Sequence, residues 1–168
     1  KIMGTWNYNR ENRVLVDYSQ LSPVLIQALV ATEDVRFYDH SGIDFIALGR
    51  AIVKRGLLRQ KSAGGGSTIT QQLAKQLYSG TAHSVMERLL QKPIEWVIAV
   101  QLERNYTKDE IIAMYLNYFD FLHNAVGIKT ASNTYFGKEP KDLTVNEEAT
   151  LIGLCKNPSY FNPVRHHD

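Results

Sequence analysis

The chain has 168 residues, 44% of them hydrophobic, and a net charge of +2 at neutral pH. That is enough chain for one domain with a real core, and too little charge for a generic nucleic-acid binder. A single cysteine, Cys155, excludes an internal disulfide framework or a cysteine-based metal site, and no apolar run reaches membrane-spanning length.

Residues 1–20 have extended character, with Val14, Val16 and Tyr18 alternating. Ser22-Pro23 starts a helix, serine as cap and proline at the first helical position, which Leu25, Ala28, Leu29 and Thr32 carry toward Glu33. Asp44 caps a second helix through Phe45, Leu48 and Ile52. The segment from Gln60 to Gly66 breaks it, and Thr68 begins a third. Pro93 is expected to start a further helix over Ile94 to Leu102. Thr107-x-x-Glu110 and Thr144-x-x-Glu147 are capping boxes, predicting helices over Ile111 to Tyr118 and Ala149 to Leu154, with Gly137 and Pro140 as punctuation between them. Strand signal is weak throughout, so the fold class is mainly α. Cys155, among Leu151, Ile152 and Leu154, reads as core filler.

The most informative stretch is Gly64-Gly65-Gly66-Ser67-Thr68-Ile69-Thr70-Gln71-Gln72-Leu73-Ala74-Lys75. Glycines let backbone approach a ligand closely, and a helix N-terminus beyond them favours anions. Thr68, Gln72 and Lys75 fall on one helical face as a polar shelf, while Ile69, Leu73 and Leu77 suit a core. It is not a nucleotide P-loop, because no Gly-Lys-Ser/Thr step is present. The basic run Arg50, Lys54, Arg55, Arg59 and Lys61 leads into this loop and suits either a solvated face or an anionic partner. With little to bury, the loop is expected to be mobile.

Glu33 sits between an apolar helix and the aromatics Phe37 and Tyr38, a setting that suits general acid–base work; the plainer reading is a surface glutamate at a helix end. His40 is a base, a metal ligand or, more plainly, a structural hydrogen-bonder. Lys92 and Glu95 share a helix face, either as an exposed ion pair or as a cation and carboxylate managing a phosphate-bound metal or a leaving group.

Five blocks in order carry a resemblance: Glu33-Asp34-x-x-Phe37-x-x-His40-x-Gly42; Gly65-x-Ser67-Thr68-Ile69-Thr70-Gln71-Gln72; Lys92-x-x-Glu95; Lys108-Asp109-Glu110-Ile111 through Tyr115-Leu116-Asn117; and Ala149 through Lys156-x-Pro158-Ser159-x-x-Asn162-Pro163. With them the chain resembles the peptidoglycan glycosyltransferase domain, glycosyltransferase family 51, of class A penicillin-binding proteins and monofunctional transglycosylases. The resemblance implies that residues 1–168 form a single domain with a lysozyme-like α-helical fold, a large head lobe and a smaller, mobile jaw. It implies polymerisation of lipid II into glycan strands with inversion at the sugar carbon, on the outer, periplasmic face of the bacterial cytoplasmic membrane. Glu33 matches the family's catalytic base, and Glu95 the glutamate that supports the departing pyrophosphate, with a divalent metal (Mg or Mn) bound alongside and no organic cofactor. Asp34, Phe37, His40, Arg50, Ser67, Thr68, Gln71, Gln72, Lys75, Lys92, Lys156 and Ser159 match the substrate side. The partners implied are lipid II, the growing strand and the membrane surface, with no nucleic acid. A transmembrane anchor would lie upstream in the parent and, in bifunctional members, a transpeptidase domain downstream.

Two departures stand out. The third block usually begins with an arginine where this chain has Gln91, and Arg88, one helical turn earlier, is the candidate substitute. Asp120-Phe121-Leu122-His123-Asn124 replaces a more glycine- and tyrosine-rich stretch. The rival readings are a lysozyme-like hydrolase or lytic enzyme, which also uses carboxylates, and a binding module that recruits lipid-linked precursor without turnover.

Overall fold

The computed structural model describes residues 14–54, 66–78, 84–158 and 160–161. Among these residues the chain is helical: α1 (Pro23–Glu33), α2 (Phe45–Ile52), α3 (Ile69–Tyr78), α4 (Val85–Asn105), α5 (Lys108–Tyr118), α6 (Ile128–Phe136) and α7 (Val145–Lys156), with short 3-10 turns at Tyr18–Gln20, Phe37–Asp39 and Pro140–Asp142. No helix among the described residues is long and apolar enough to cross a membrane. The glycines Gly64 and Gly65 and the basic residues Arg55, Arg59 and Lys61 lie outside the described residues, as does Ser159.

Local chemistry accounts for most helix starts. Ser22 accepts from the Val24 N–H with Pro23 at the first position, and Asp44 accepts from the N–H groups of Ile46 and Ala47. Thr107 with Glu110 and Thr144 with Glu147 form reciprocal capping boxes. These two helices begin at Lys108 and Val145, a few residues before the apolar runs that announced them.

Pro93 does not start a helix. It lies inside the 21-residue α4, which Ser84 caps by accepting from the Glu87 N–H. A helical proline forfeits the bond to the carbonyl four residues back. Pro93 is exposed, so water can take the Leu89 carbonyl, and the packing of α4 along α3 holds the rest. Helix α6 carried no start signal. It stands on the burial of Ile128, Ala131 and Ser132 and closes on Gly137 in the left-handed region at φ +64°.

One core joins all but α2. Leu25, Leu29, Phe37, Ile69, Leu73, Ile111, Tyr115, Leu116, Ile128 and Leu151 are fully buried in it. α3 packs on both α4 and α5, and α1 packs on α7. The lead-in over residues 14–17 is irregular, without strand pairing, and is clamped to α5: the Asn117 side chain accepts from the Val16 N–H at 3.0 Å and donates to the Val16 carbonyl at 2.9 Å. The departing stretch after Asn117 forms a tight turn with Leu122, His123 and Asn124 all at positive φ. It packs toward α6, where the Tyr135 hydroxyl donates to the Phe121 carbonyl at 2.6 Å.

Candidate active site

Glu33 ends α1, and its side chain is only 8% exposed. Its Oε2 accepts from Gln72 Nε2 of α3 at 3.0 Å. Its Oε1 is buried without a hydrogen-bond partner, and the half-exposed Lys156 of α7 holds its ammonium 3.9 Å away while donating to the Thr32 carbonyl at 3.1 Å. A buried carboxylate oxygen with no donor is costly for stability and useful to a proton acceptor.

The neighbouring Asp34 is committed elsewhere. Its Oδ2 accepts from the Ile69 N–H, the first residue of α3, at 3.1 Å and lies 2.9 Å from His40 Nε2. His40 Nδ1 in turn accepts from the Gly42 N–H at 3.2 Å. Phe37 is fully buried under the Lys108 ammonium, 4.3 Å from its ring centre. Lys108 also donates to the His40 carbonyl and pairs with Glu103, each within 2.8 Å. Asp34, Phe37 and His40 therefore brace the loop after Glu33; Phe37 has no surface with which to touch a substrate.

The N-terminus of α3 is the principal correction to the sequence reading. Its free N–H groups suggested an anion site. The structure gives that end an anion from its own chain: Asp34 on the Ile69 N–H. Thr68 Oγ1 takes the Gln71 N–H at 3.1 Å and donates to the Gly42 carbonyl at 2.7 Å, while Gln71 Oε1 reaches back to the Thr68 N–H and the Ser67 hydroxyl. Thr68 and Gln71 thus form a capping box and are buried, at 2% and 3% exposure. Of the predicted shelf, Gln72 faces Glu33 and Lys75 is exposed.

Gly42 shows why the loop cannot shift. Its φ is +97°, and a Cβ there would stand 2.9 Å from the Ala99 carbonyl carbon and oxygen in α4. Gly42→Ala is expected to lower unfolding free energy by about 2 kcal/mol in urea titration, from backbone strain and the clash together. An unchanged midpoint would mean that the loop does not rest on α4.

Glu95 lies on α4 with its side chain fully buried. Arg88 Nη1 donates to its Oε1 at 2.8 Å, and the Lys92 ammonium lies 2.8 Å from its Oε2, off the hydrogen-bond direction. The candidate substitute does meet the carboxylate, and Arg88 also reaches Gln91 Oε1 at 3.4 Å. Two cations on one carboxylate leave an excess positive charge at the surface, since Arg88 and Lys92 are each about a third exposed. A divalent cation does not fit on Glu95 itself, whose oxygens already hold these two cations, and no cluster of three metal-ligating side chains occurs among the described residues.

Two adjoining cavities connect these groups. One, of about 100 Å³, is lined by Glu33, Arg50, Gly66, Ser67 and Thr68 among others. The second, of about 370 Å³, shares Gly66 and Ser67 with it and continues along Lys92, Leu48, Ala51, Ile52 and Trp96. The cleft therefore runs from a carboxylate past hydroxyls to a cation and an apolar wall. Asp44 under its rim also holds the loop: burial pushes its carboxyl up, but the Ala47 and Ile46 N–H groups and the Arg36 guanidinium at 2.9 Å outweigh this and keep it below the usual carboxylate value.

The chain matches the profile of the Transglycosylase family over residues 1–168. It is 45% identical over 158 residues to penicillin-binding protein 1F of Bacillus subtilis, covering 94% of this chain and 21% of that protein. It is 38% identical over 157 residues to penicillin-binding protein 1A of Escherichia coli (94% and 18%), and 42% over 162 residues to penicillin-binding protein 1A/1B of Bacillus subtilis (94% and 17%). The chain belongs to the transglycosylase family, and it spans about a fifth of the length of these relatives.

Proposed function

We propose that this domain polymerises lipid II into peptidoglycan glycan strands by inverting glycosyl transfer, with Glu33 as general base. The observation that carries the reading is the cleft, whose carboxylate, hydroxyls, cation and apolar wall follow the order of a sugar, a pyrophosphate and a lipid tail. The acceptor 4-hydroxyl attacks the donor's anomeric carbon as Glu33 takes its proton. The bond to the pyrophosphate oxygen breaks, and the pyrophosphate departs with the electron pair. No protein nucleophile is needed. Lys92 and Arg88, held by Glu95, meet the charge that develops on the leaving group, and Lys156, Arg50 and Lys75 add positive potential around the cleft.

Among the described residues, the hydrolase reading lacks a second free carboxylate near Glu33. Asp34 is held by His40 and α3, and Glu95 by two cations, whereas a glycosidase needs a pair flanking the bond. The exposed apolar residues Phe45, Ile46 and Ile52 of α2, Val53 that caps it, and Leu89, Leu90, Ile94 and Val97 of α4 support a membrane-surface location, where the lipid substrate resides.

The test is labelled lipid II in detergent or vesicles, run beside finished peptidoglycan. A ladder of glycan products from lipid II supports the reading. New reducing ends from finished peptidoglycan, without a ladder, support the hydrolase. Binding without any product supports a recruiting module.

Arg88→Ala is expected to cost about tenfold in kcat/KM, the worth of one charge-assisted hydrogen bond at a partly exposed site. Adding Gln91→Arg returns a guanidinium four residues before Glu95 and should restore most of the loss. Full activity of Arg88→Ala alone would remove Arg88 from the leaving-group site.

A further inference from the structure

Behind Glu33 lies a chain of hydrogen bonds that joins three helices, α1, α3 and α5. Gln72 of α3 donates through Nε2 to Glu33 Oε2 at 3.0 Å, and its Oε1 accepts from the hydroxyl of Tyr115, on α5, at 3.1 Å. Tyr115 is fully buried, with the Cys155 thiol of α7 close enough to act on it electrostatically. The direction of the chain is set by chemistry. A carboxylate only accepts, so the Gln72 amide must turn its nitrogen toward Glu33; its oxygen then points at Tyr115, which must donate. The phenol's proton is thus spent on Gln72.

We propose that Tyr115 is a positioning residue for the base: by holding the Gln72 amide in one orientation it engages Glu33 Oε2, leaving Oε1 as the oxygen that receives the acceptor's proton. This deepens the reading of Glu33 as general base and rests on it. Without the hydroxyl, the Gln72 amide is free to rotate, and Glu33 loses a directed donor. Burial, then Cys155 and the Glu33 charge, push the Tyr115 hydroxyl well above the usual phenol value; burial and then Glu33 push the Cys155 thiol up as well. Both groups therefore stay protonated, and the direction persists, across the range in which such enzymes work. The charged and titratable groups around Glu33 are Lys156 and Cys155 from α7, Tyr115 from α5, Arg50 from α2, and Asp34, Arg36 and Asp44 on the cavity it lines.

The experiment measures polymerisation of lipid II by the full-length protein and its Tyr115→Phe variant, across pH, with melting temperature alongside. The ring is kept, so packing is preserved. The expected result is a fall in kcat of about tenfold with KM within twofold, and an acid limb moved to higher pH, because a carboxylate that loses a donor keeps its proton longer. Wild-type kcat and pH profile in the variant would overturn the proposal, as would a loss confined to KM. Should Tyr115→Phe fail to fold, Gln72→Met decides, because it removes the amide that both bonds pass through. A fall in kcat with KM within twofold is expected, and wild-type kcat and pH profile in that variant overturn the proposal. Failure of the functional reading shows differently, as no glycan product from the unmodified protein.

Discussion

Glu33→Gln is expected to reduce lipid II polymerisation by about 10³-fold, within the range that a positioned general base supplies. The substitution is close to isosteric. Its amide oxygen can keep the bond from Gln72 Nε2, now made at Oε2 at 3.0 Å, so the end of α1 and the Asp34–His40 brace behind it should stand unchanged. What disappears is the unpartnered Oε1, the acceptor for the incoming proton. Equilibrium binding of lipid II should stay within a few-fold, because the cleft's hydroxyls and cations remain, and the loss should fall on kcat. Gel separation of glycan products with a parallel binding titration reads both quantities. Turnover within threefold of the unmodified protein would remove Glu33 from the base role.

Glu95→Gln should be the most damaging change on the leaving-group side. Arg88 and Lys92 are held 2.8 Å from one buried carboxylate, which cancels their mutual repulsion and fixes Lys92 on the cleft wall. A neutral amide leaves two like charges one helical turn apart. Breaking a fully buried ion pair costs several kcal/mol, but both cations here reach water, so a loss of about 2 kcal/mol is expected in denaturant unfolding. The catalytic loss should be larger, about 10²-fold, because the cations lose their preset positions for the developing pyrophosphate charge. Glu95→Asp, which keeps the charge on a shorter arm, should recover stability before it recovers turnover. Normal stability and turnover in Glu95→Gln would reduce this cluster to an ordinary helix-surface ion pair.

Local rules carried the reading of this chain a long way, and they failed where a second local or tertiary term competed. Ser22-Pro23, Asp44, Thr107 and Thr144 announce their helices because capping is decided within four residues. Pro93 obeys the same first-turn preference in sequence, yet packing along α3 and the Ser84 cap carry α4 through it. Helix α6 has a Gly137 C-cap but no side-chain cap at its start, and burial against its neighbours is what begins it. The Thr68 end of α3 was legible as an anion site, but the anion turned out to be Asp34, 35 residues earlier.

By itself, the sequence determined the helical class, most helix starts and, through five ordered blocks, the family, and it singled out Glu33, Ser67, Thr68 and Lys92, which line the cleft. Tertiary structure alone decided what each of them does there. Gln72 reaches Glu33 across 39 residues and Tyr115 reaches Gln72 across 43, so neither bond has a sequence signature. Periodicity places a residue on a helix face but not opposite a particular partner on another helix. That second relation comes from how α1, α3, α5 and α7 pack, because burial is what forces each polar group among them to find a donor or acceptor.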